Sequence, residues 1–131
     1  MVCLDTDVII NFFRKEKTAL NTLADLEESG IRITTTTINT FELWRGILKS
    51  RTEEEKRQAL EFLNTLTLLE FSYAASQKAA EIIQDLKKSG EMIELTDIMI
   101  AAICISKNES LLTRNANHFE RIPGLKLESF S

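Results

Sequence analysis

Short apolar or β-branched segments alternate with segments of helical spacing along nearly the whole chain, and this alternation restricts the fold more than any other feature. VCL, IRITTTT, TLLEF and SLLT each predict a strand that is followed by a helical or turn pattern, and LKLES predicts a last strand. Parallel neighbouring strands need such crossovers, which are right-handed. We therefore predict an α/β fold in which a central, mainly parallel sheet lies between two layers of helices.

Capping residues and glycines mark where the predicted helices begin and end. We expect Thr6 or Asp7 to cap the first helix and Thr52 to cap the fourth. Gly30 and Gly90 are the expected left-handed stops of two other helices. The boundaries of the helices are therefore predicted independently of their apolar residues.

Two helical segments differ in how their apolar residues are arranged. TDIMIAAICISKN is apolar on nearly every side, so we expect this helix to lie at the centre of the fold. INTFELWRGILKS has a one-sided pattern instead. Its spacing predicts a buried face made of Ile38, Phe41, Leu48 and either Trp44 or Leu43.

Length and charge exclude several classes of protein. The 131 residues suffice for about one domain, and we expect a single domain over residues 1–131. The longest apolar run, IMIAAICI, is far shorter than the roughly 20 residues that span a bilayer. The net charge of −4 argues against a plain nucleic-acid-binding module. An enzyme with local basic residues and bound metal ions stays open.

The two cysteines and the first residues indicate a compartment. Cys3 and Cys104 each lie in an apolar run, which is typical of buried thiols in a reducing environment rather than of a disulfide framework. Asp5 lies where a signal peptide would be apolar, so export is not indicated. We therefore expect a cytoplasmic protein.

Acidic and amide side chains lie at the edges of the predicted apolar segments. Asp5 follows the first strand, Glu42 lies one turn into the helix after the second, Asp97 begins the apolar helix and Asn115 follows the fourth strand. These positions can converge at the carboxyl edge of a parallel sheet. Carboxylates that converge away from water repel one another and need a cation. Oxygen ligands suit Mg²⁺ or Mn²⁺, whereas His118 and two separated cysteines give no zinc spacing.

Each of these residues also has an ordinary structural explanation. Asp97 can be a helix-start acid that the helix dipole favours, and Glu42 can pair with Arg45. Asn115 is of a type common in turns. Asp5 is the hardest to explain in this way, because an acid at the end of a buried strand has few neighbours that neutralise it. Both interpretations stay open at this point.

The chain resembles the PIN-domain family, and within it the VapC-type toxins of prokaryotic toxin–antitoxin pairs. The matching motifs are LDTDVI, TTINTFELWRG, GEMIELTDIMIAAICI and LLTRNANHFERIPGL, and their order and spacing cover nearly the whole chain. The resemblance implies a three-layer α/β/α domain with an RNA-hydrolysing site that depends on Mg²⁺ or Mn²⁺. It also implies a homodimer and a cognate VapB-like antitoxin, with a DNA-binding portion, that blocks the active site.

The resemblance assigns roles to particular residues. Asp5, Glu42 and Asp97 match the acidic metal-site positions of the family. Asn115 falls where many relatives carry a fourth acid, so the resemblance implies a weaker contribution at this position and does not imply a full second metal site. Asn115 is retained as a candidate member of the catalytic set.

Further residues surround these acids in the sequence. Thr113 matches a hydroxyl position beside the site, and Thr6, next to Asp5, is a secondary candidate. Asp7 occupies a position that is often Asn or Ser in the family, and Glu94 is a nearby acid without an assigned role.

Two other functions fit parts of the sequence. The pattern DTD after an apolar strand also opens haloacid-dehalogenase-like phosphatases, in which Asp5 would be the nucleophile and Asp7 a general acid. The chain is short for that class, and SLLT leads into Arg114 rather than a Lys. The other alternative is a PIN-like domain with a decayed site that only binds a partner, which the uncharged Asn115 keeps open.

Overall fold

The computed structural model describes residues 1–50 and 52–131 of the chain. Strands and helices follow one another through these ranges in the predicted order. In chain order the elements are β1 (Val2–Leu4), α1 (Thr6–Phe13), α2 (Lys17–Glu28), β2 (Ile33–Thr36), α3 (Thr37–Ser50), α4 (Glu53–Leu63), β3 (Thr67–Leu69), α5 (Tyr73–Lys88), α6 (Leu95–Ser106), β4 (Ser110–Leu112), α7 (Ala116–Phe119) and β5 (Lys126–Leu127).

Within the described ranges, five strands form one parallel sheet in the order β3-β2-β1-β4-β5. β1 lies at the centre, where Cys3 is opposite Thr34 of β2 and Leu111 of β4. The predicted α/β fold with a central parallel sheet is confirmed. Because parallel strands end at the same edge, the residues that follow β1, β2 and β4 are brought together there.

Alternate residues of the central strands pack against two different helical layers. Cys3 and Leu111 belong to a core that includes α5 and α6. Val2, Leu4 and Leu112 belong to a second core, which includes α1, α2, α3 and α4. Side chains of a strand point alternately to its two faces, so this division produces the three layers of an α/β/α fold.

Helix α6 is the buried helix that its apolar sequence predicts. Its buried side chains are Ile98, Ile100, Ala101, Ala102, Ile103 and Cys104. It packs along α5 on one side and contacts α3 and β4 on others. Cys104 and Cys3 are both free and buried, as expected. None of the helices in the described part of the chain is long and apolar enough to cross a membrane.

Most helix boundaries agree with the capping pattern, and one does not. Gly30 and Gly90 have left-handed backbone conformations, with φ of 71° and 73°, just beyond α2 and α5. Thr52 caps α4 through its side chain. The first helix was predicted wrongly in this respect: α1 begins at Thr6, and Asp5 caps it by accepting a hydrogen bond from the Thr6 N–H at 2.9 Å.

The buried face of α3 agrees only in part with the one that its apolar spacing predicts, in which Leu43 was one of the expected residues. Leu43 and Ile47 are buried, whereas Phe41 and Leu48 are both 57% exposed. Asn39 is fully buried and lies one turn before Leu43, on the same inner face. A polar residue at the start of this face interrupts the apolar pattern, so the spacing wrongly places Phe41 and Leu48 in the buried face.

Candidate active site

Asp5 lies at the carboxyl end of the central strand, and neighbours hold both of its carboxylate oxygens. Oδ1 accepts hydrogen bonds from the Thr6 N–H at 2.9 Å and from Asn39 Nδ2 at 3.0 Å. Oδ2 accepts one from Thr113 Oγ1 at 2.7 Å. The residue is only 8% exposed, and this burial raises its pKa, although the hydrogen bonds oppose the rise. Asp5 is therefore fixed by donors from α1, from α3 and from the end of β4.

Glu42 reaches the same edge of the sheet from α3. Its Oε1 accepts a hydrogen bond from Thr6 Oγ1 at 2.7 Å, so Thr6 connects Glu42 to the segment that carries Asp5. Partial burial raises the pKa of Glu42, and the Thr6 hydrogen bond lowers it. The negative charges of Asp5 and Glu94 raise it further, whereas the positive charge of Arg45 lowers it. Glu42 thus lies in the field of the other acids.

Asp97, in the first turn of α6, approaches these acids from the helical layer. Its side chain is 16% exposed, and its Oδ2 lies 3.2 Å from His118 Nδ1. Burial raises the pKa of Asp97 to about 6, with further contributions from the charges of Asp5, Glu42 and Glu94. His118 acts in the opposite direction. The three predicted metal-site acids therefore lie close enough to repel one another.

Asn115 lies on the Asp97 side of this cluster. Its Nδ2 is 2.9 Å from His118 Nδ1, the same ring atom that approaches Asp97. Its backbone N–H donates to Thr113 Oγ1 at 3.0 Å, and that hydroxyl donates to Asp5. Asn115 is thus connected to Asp5 through the Thr113 hydroxyl, and its amide nitrogen lies beside the His118 ring atom that also faces Asp97.

Asp7 binds the loop that follows β4. The Arg114 N–H approaches both oxygens of Asp7, at 3.2 and 3.4 Å. The Arg114 side chain pairs with Glu16, and its Cζ lies 4.5 Å from the centre of the Phe130 ring. Burial and the charge of Asp5 raise the pKa of Asp7 to about 6. Asp7 therefore fastens the start of α1 to the loop before α7.

Asn39, for which no role was predicted, donates a hydrogen bond directly to Asp5. Asn39 lies three residues before Glu42 on α3, so the two side chains are one turn apart on the same side of the helix. The sequence signal that could have identified Asn39 is an amide side chain one helical turn before a candidate acid. His118, for which no ligand role was predicted, lies beside Asp97.

The donor set suits a hydrated divalent ion. The converging side chains are mainly carboxylates, and their repulsion would be relieved by a cation. Within residues 1–50 and 52–131, no three acidic, histidine or cysteine side chains are already grouped as a metal-binding set. Mg²⁺ usually keeps several waters and binds one or two carboxylates directly. These side chains therefore suit Mg²⁺ or Mn²⁺ as ligands for part of the ion's coordination shell, with water in the remaining positions.

Known proteins match this chain over almost its whole length. A model of the PIN domain family matches residues 2–125. The chain is 30% identical to "Ribonuclease VapC2" of Rickettsia felis over 97% of this chain and 96% of that protein. It is 33% identical to "Ribonuclease VapC1" of Methanocaldococcus jannaschii over 96% and 85%. A structure of VapBC2 from Rickettsia felis bound to a DNA fragment from its promoter has a TM-score of 0.89, with 29% identity and 100% of both chains covered.

Replacement of Asp97 by Asn separates repulsion among the acids from ordinary helix capping. We expect metal-free Asp97→Asn to melt at the same temperature as the parent or higher, because the change removes repulsion from Asp5 and Glu42. Glu53→Gln, in the first turn of α4, is the matched control and should lower the melting temperature slightly. Thermal unfolding in a chelator measures both. A comparable loss of stability in Asp97→Asn would mean that Asp97 is only a helix-start acid.

The raised pKa of Asp97 also predicts how metal-free stability depends on pH. The unfolded chain releases this proton near the ordinary pKa of 3.8 and the folded chain near 6, so this residue's contribution to stability falls as the pH rises through that interval. The stability that Asp97→Asn gains over the parent should therefore be larger at about pH 7.5 than at about pH 4.5. Melting curves in a chelator at both values test this. If the variant and the parent differ in stability by the same amount at both pH values, the prediction that the pKa of Asp97 is raised is contradicted.

Proposed function

The chain belongs to the PIN domain family, and we propose that it is a metal-dependent endoribonuclease that hydrolyses RNA phosphodiester bonds in the cytoplasm as the toxin of a VapBC-type toxin–antitoxin pair. The relative from Rickettsia felis, named a ribonuclease, supports the activity. The observation that carries the proposal is the convergence of Asp5, Glu42 and Asp97 at one edge of the sheet, where burial raises the pKa of both Glu42 and Asp97 and the charge of Asp5 raises both further. Such a cluster is costly to fold unless a cation binds it.

Asp5, Glu42 and Asp97 would hold the Mg²⁺ or Mn²⁺ ion. When bound, the ion supplies positive charge that activates water and offsets the negative charge developing on a phosphodiester under attack. The neighbouring threonines orient these acids: Thr113 donates to Asp5, and the Thr6 hydroxyl donates to Glu42. Loss of the Thr6 hydroxyl would remove this donor from Glu42, and loss of the Thr113 hydroxyl would leave Asp5 held through Oδ1 alone.

Asn115 is the uncharged member of the proposed site. Together with His118 it places nitrogen and oxygen atoms beside Asp97, where they can orient a phosphate oxygen or water. Because an amide carries no negative charge, it attracts a second cation less strongly than an acid does. We therefore assign Asn115 to substrate or water orientation rather than to a second ion.

The phosphatase alternative has weaker support. In a phosphatase of this type the general acid would be Asp7, but the carboxylate of Asp7 accepts a hydrogen bond from the Arg114 N–H. The Arg114 side chain pairs with Glu16. A covalent phosphate on Asp5 would favour the phosphatase, because the nuclease mechanism forms no such bond.

We propose a VapB-like antitoxin as one partner of the chain. The Rickettsia felis structure that the chain resembles is a VapBC2 complex on DNA. A cavity of about 410 Å³ opens next to Glu42. The side chains that line it include Ile10 and Phe13 of α1, Arg14 just after α1, and Leu43 and Ile47 of α3. An antitoxin segment with apolar side chains could occupy this cavity while one of its basic side chains reaches the acids.

A second copy of the chain is the other proposed partner. Large apolar side chains remain exposed on the helical surface: Phe41 and Leu48 on α3 are 57% exposed, and Tyr73 at the start of α5 is 80% exposed. Burial of such side chains stabilises association. We therefore propose a homodimer that uses part of this surface.

RNA cleavage should depend on a divalent ion. We expect the purified chain to cleave single-stranded or looped RNA with Mg²⁺ or Mn²⁺, and to lose this activity in a chelator, because the acids repel the substrate when no cation is bound. Asp97→Asn should be inactive with either ion. Asp25→Asn, on the exposed side of α2, is the control that should keep its activity. Cleavage that survives thorough chelation would exclude the metal-dependent mechanism.

Ion binding can be measured separately from catalysis. Added Mg²⁺ should raise the melting temperature of the parent by mass action and that of Asp97→Asn hardly at all. Isothermal titration calorimetry gives the affinity directly. If the parent shows no saturable binding, the site is decayed and the chain acts only as a binding partner.

The toxin assignment predicts a dimer that is harmful when expressed without its antitoxin. We expect light scattering at micromolar concentration to give the mass of two chains, because exposed apolar side chains favour association. Expression of the chain alone should arrest growth, and coexpression with its antitoxin should restore it. A monomer whose expression is harmless would contradict the assignment.

A further inference from the structure

Asn39 is a fully buried polar residue whose side chain faces the candidate active site. It lies in the first turn of α3 and is 0% exposed. A buried amide is costly unless its donors and acceptors are satisfied. The amide of Asn39 meets this requirement with partners from three chain segments, which are the end of β2, the residue after β1 and the start of α1.

The neighbours of Asn39 fix the orientation of its amide. Thr36 Oγ1 and the Thr36 N–H donate to Asn39 Oδ1, at 2.7 and 3.4 Å. The Asn39 N–H in turn donates to Thr36 Oγ1 at 3.1 Å, which leaves the hydroxyl proton of Thr36 for Oδ1. A backbone N–H can only donate, so the amide oxygen faces Thr36 and the NH₂ group faces the acids.

The NH₂ group of Asn39 orients two carboxylates. One hydrogen bond, 3.0 Å long, goes to Asp5 Oδ1, and a second of 3.0 Å goes to Thr6 Oγ1. Because Thr6 Oγ1 accepts from Asn39, its own proton is directed to Glu42 Oε1 at 2.7 Å. A single amide therefore orients Asp5 directly and Glu42 through one hydroxyl. Both carboxylates are acceptors in this network, as ligands of a cation must be.

We propose that Asn39 is a positioning residue that sets the relative placement of the Asp5 and Glu42 carboxylates, so that both bind the same divalent ion. This inference rests on the proposed metal-dependent function. Thr113 holds the other oxygen of Asp5 independently, so loss of Asn39 leaves Asp5 with a weaker restraint and Glu42 without a directed donor. Asn39 itself binds neither ion nor RNA.

The test uses the full chain with two substitutions and their combination. Asn39→Leu removes the amide at similar size, and Thr6→Val removes only the hydroxyl that connects it to Glu42. Titration calorimetry with Mn²⁺ alone should show an affinity about 10- to 100-fold weaker in Asn39→Leu, as is typical when a residue that orients metal ligands is lost. Thr6→Val should weaken Mn²⁺ binding by a smaller factor. The double variant should bind Mn²⁺ no more weakly than Asn39→Leu alone, because both changes break the same connection.

RNA cleavage adds a second measurement on the same variants. At saturating Mn²⁺, kcat should fall in Asn39→Leu while KM for RNA stays within about twofold, because Asn39 does not touch the substrate. Thr22→Val is the matched control: it removes a buried hydroxyl on α2 whose hydrogen-bond partner is the Ser131 N–H rather than one of the acids. It should lower the melting temperature and leave Mn²⁺ affinity and kcat unchanged.

The outcomes separate this inference from the proposed function. If the parent binds Mn²⁺ and cleaves RNA, and folded Asn39→Leu binds the ion as tightly, only the positioning role is overturned. If the parent binds no Mn²⁺, the proposed function fails and the role of Asn39 fails with it. If Asn39→Leu does not fold, Thr6→Val decides: weaker Mn²⁺ binding supports the role, and unchanged binding overturns it.

Discussion

Repulsion among carboxylates at one edge of a parallel sheet is the constraint on which the rest of the site depends. Asp5 is withdrawn from water at the end of the central strand, and Glu42 and Asp97 lie within its electrostatic reach. The hydrogen-bond donors of Asp5 are a backbone N–H, an amide and a hydroxyl, which orient its charge without neutralising it. The negative charge thus stays available to a cation, at a cost in stability that is typical of functional sites.

This arrangement depends on packing far from the acids. The central strand sends alternate side chains into the two cores, so its end cannot shift without disturbing both helical layers. Asp97 is carried by α6, the most deeply buried helix, and Glu42 by α3, whose inner face is anchored by Leu43 and Ile47. Asp7 and Arg114 fasten the loop that follows β4. Rigid elements rather than loops therefore position the three acids.

Charge connects the site to its proposed substrate and partner. A chain of net charge −4 repels RNA at long range, so the sign of the potential must be reversed locally before a phosphodiester can approach. The proposed divalent ion would do this, with help from Arg14 beside the cavity and from Arg45, whose charge acts on Glu42. A basic side chain of an antitoxin would satisfy the same acids. The proposed antitoxin would then inhibit the site by competing with the proposed ion.

The sequence by itself determined the alternation of strands and helices, the buried α6, the glycine stops and the placement of acids at the ends of strands, because these follow from local periodicity and capping. It did not determine the inner face of α3, since buried Asn39 interrupts the apolar pattern that would identify that face. The contacts of Asn39 with Asp5 and of His118 with Asp97 were also decided only by the tertiary structure. They join residues far apart in the chain, and only the order of the strands in the sheet brings those residues within hydrogen-bond distance.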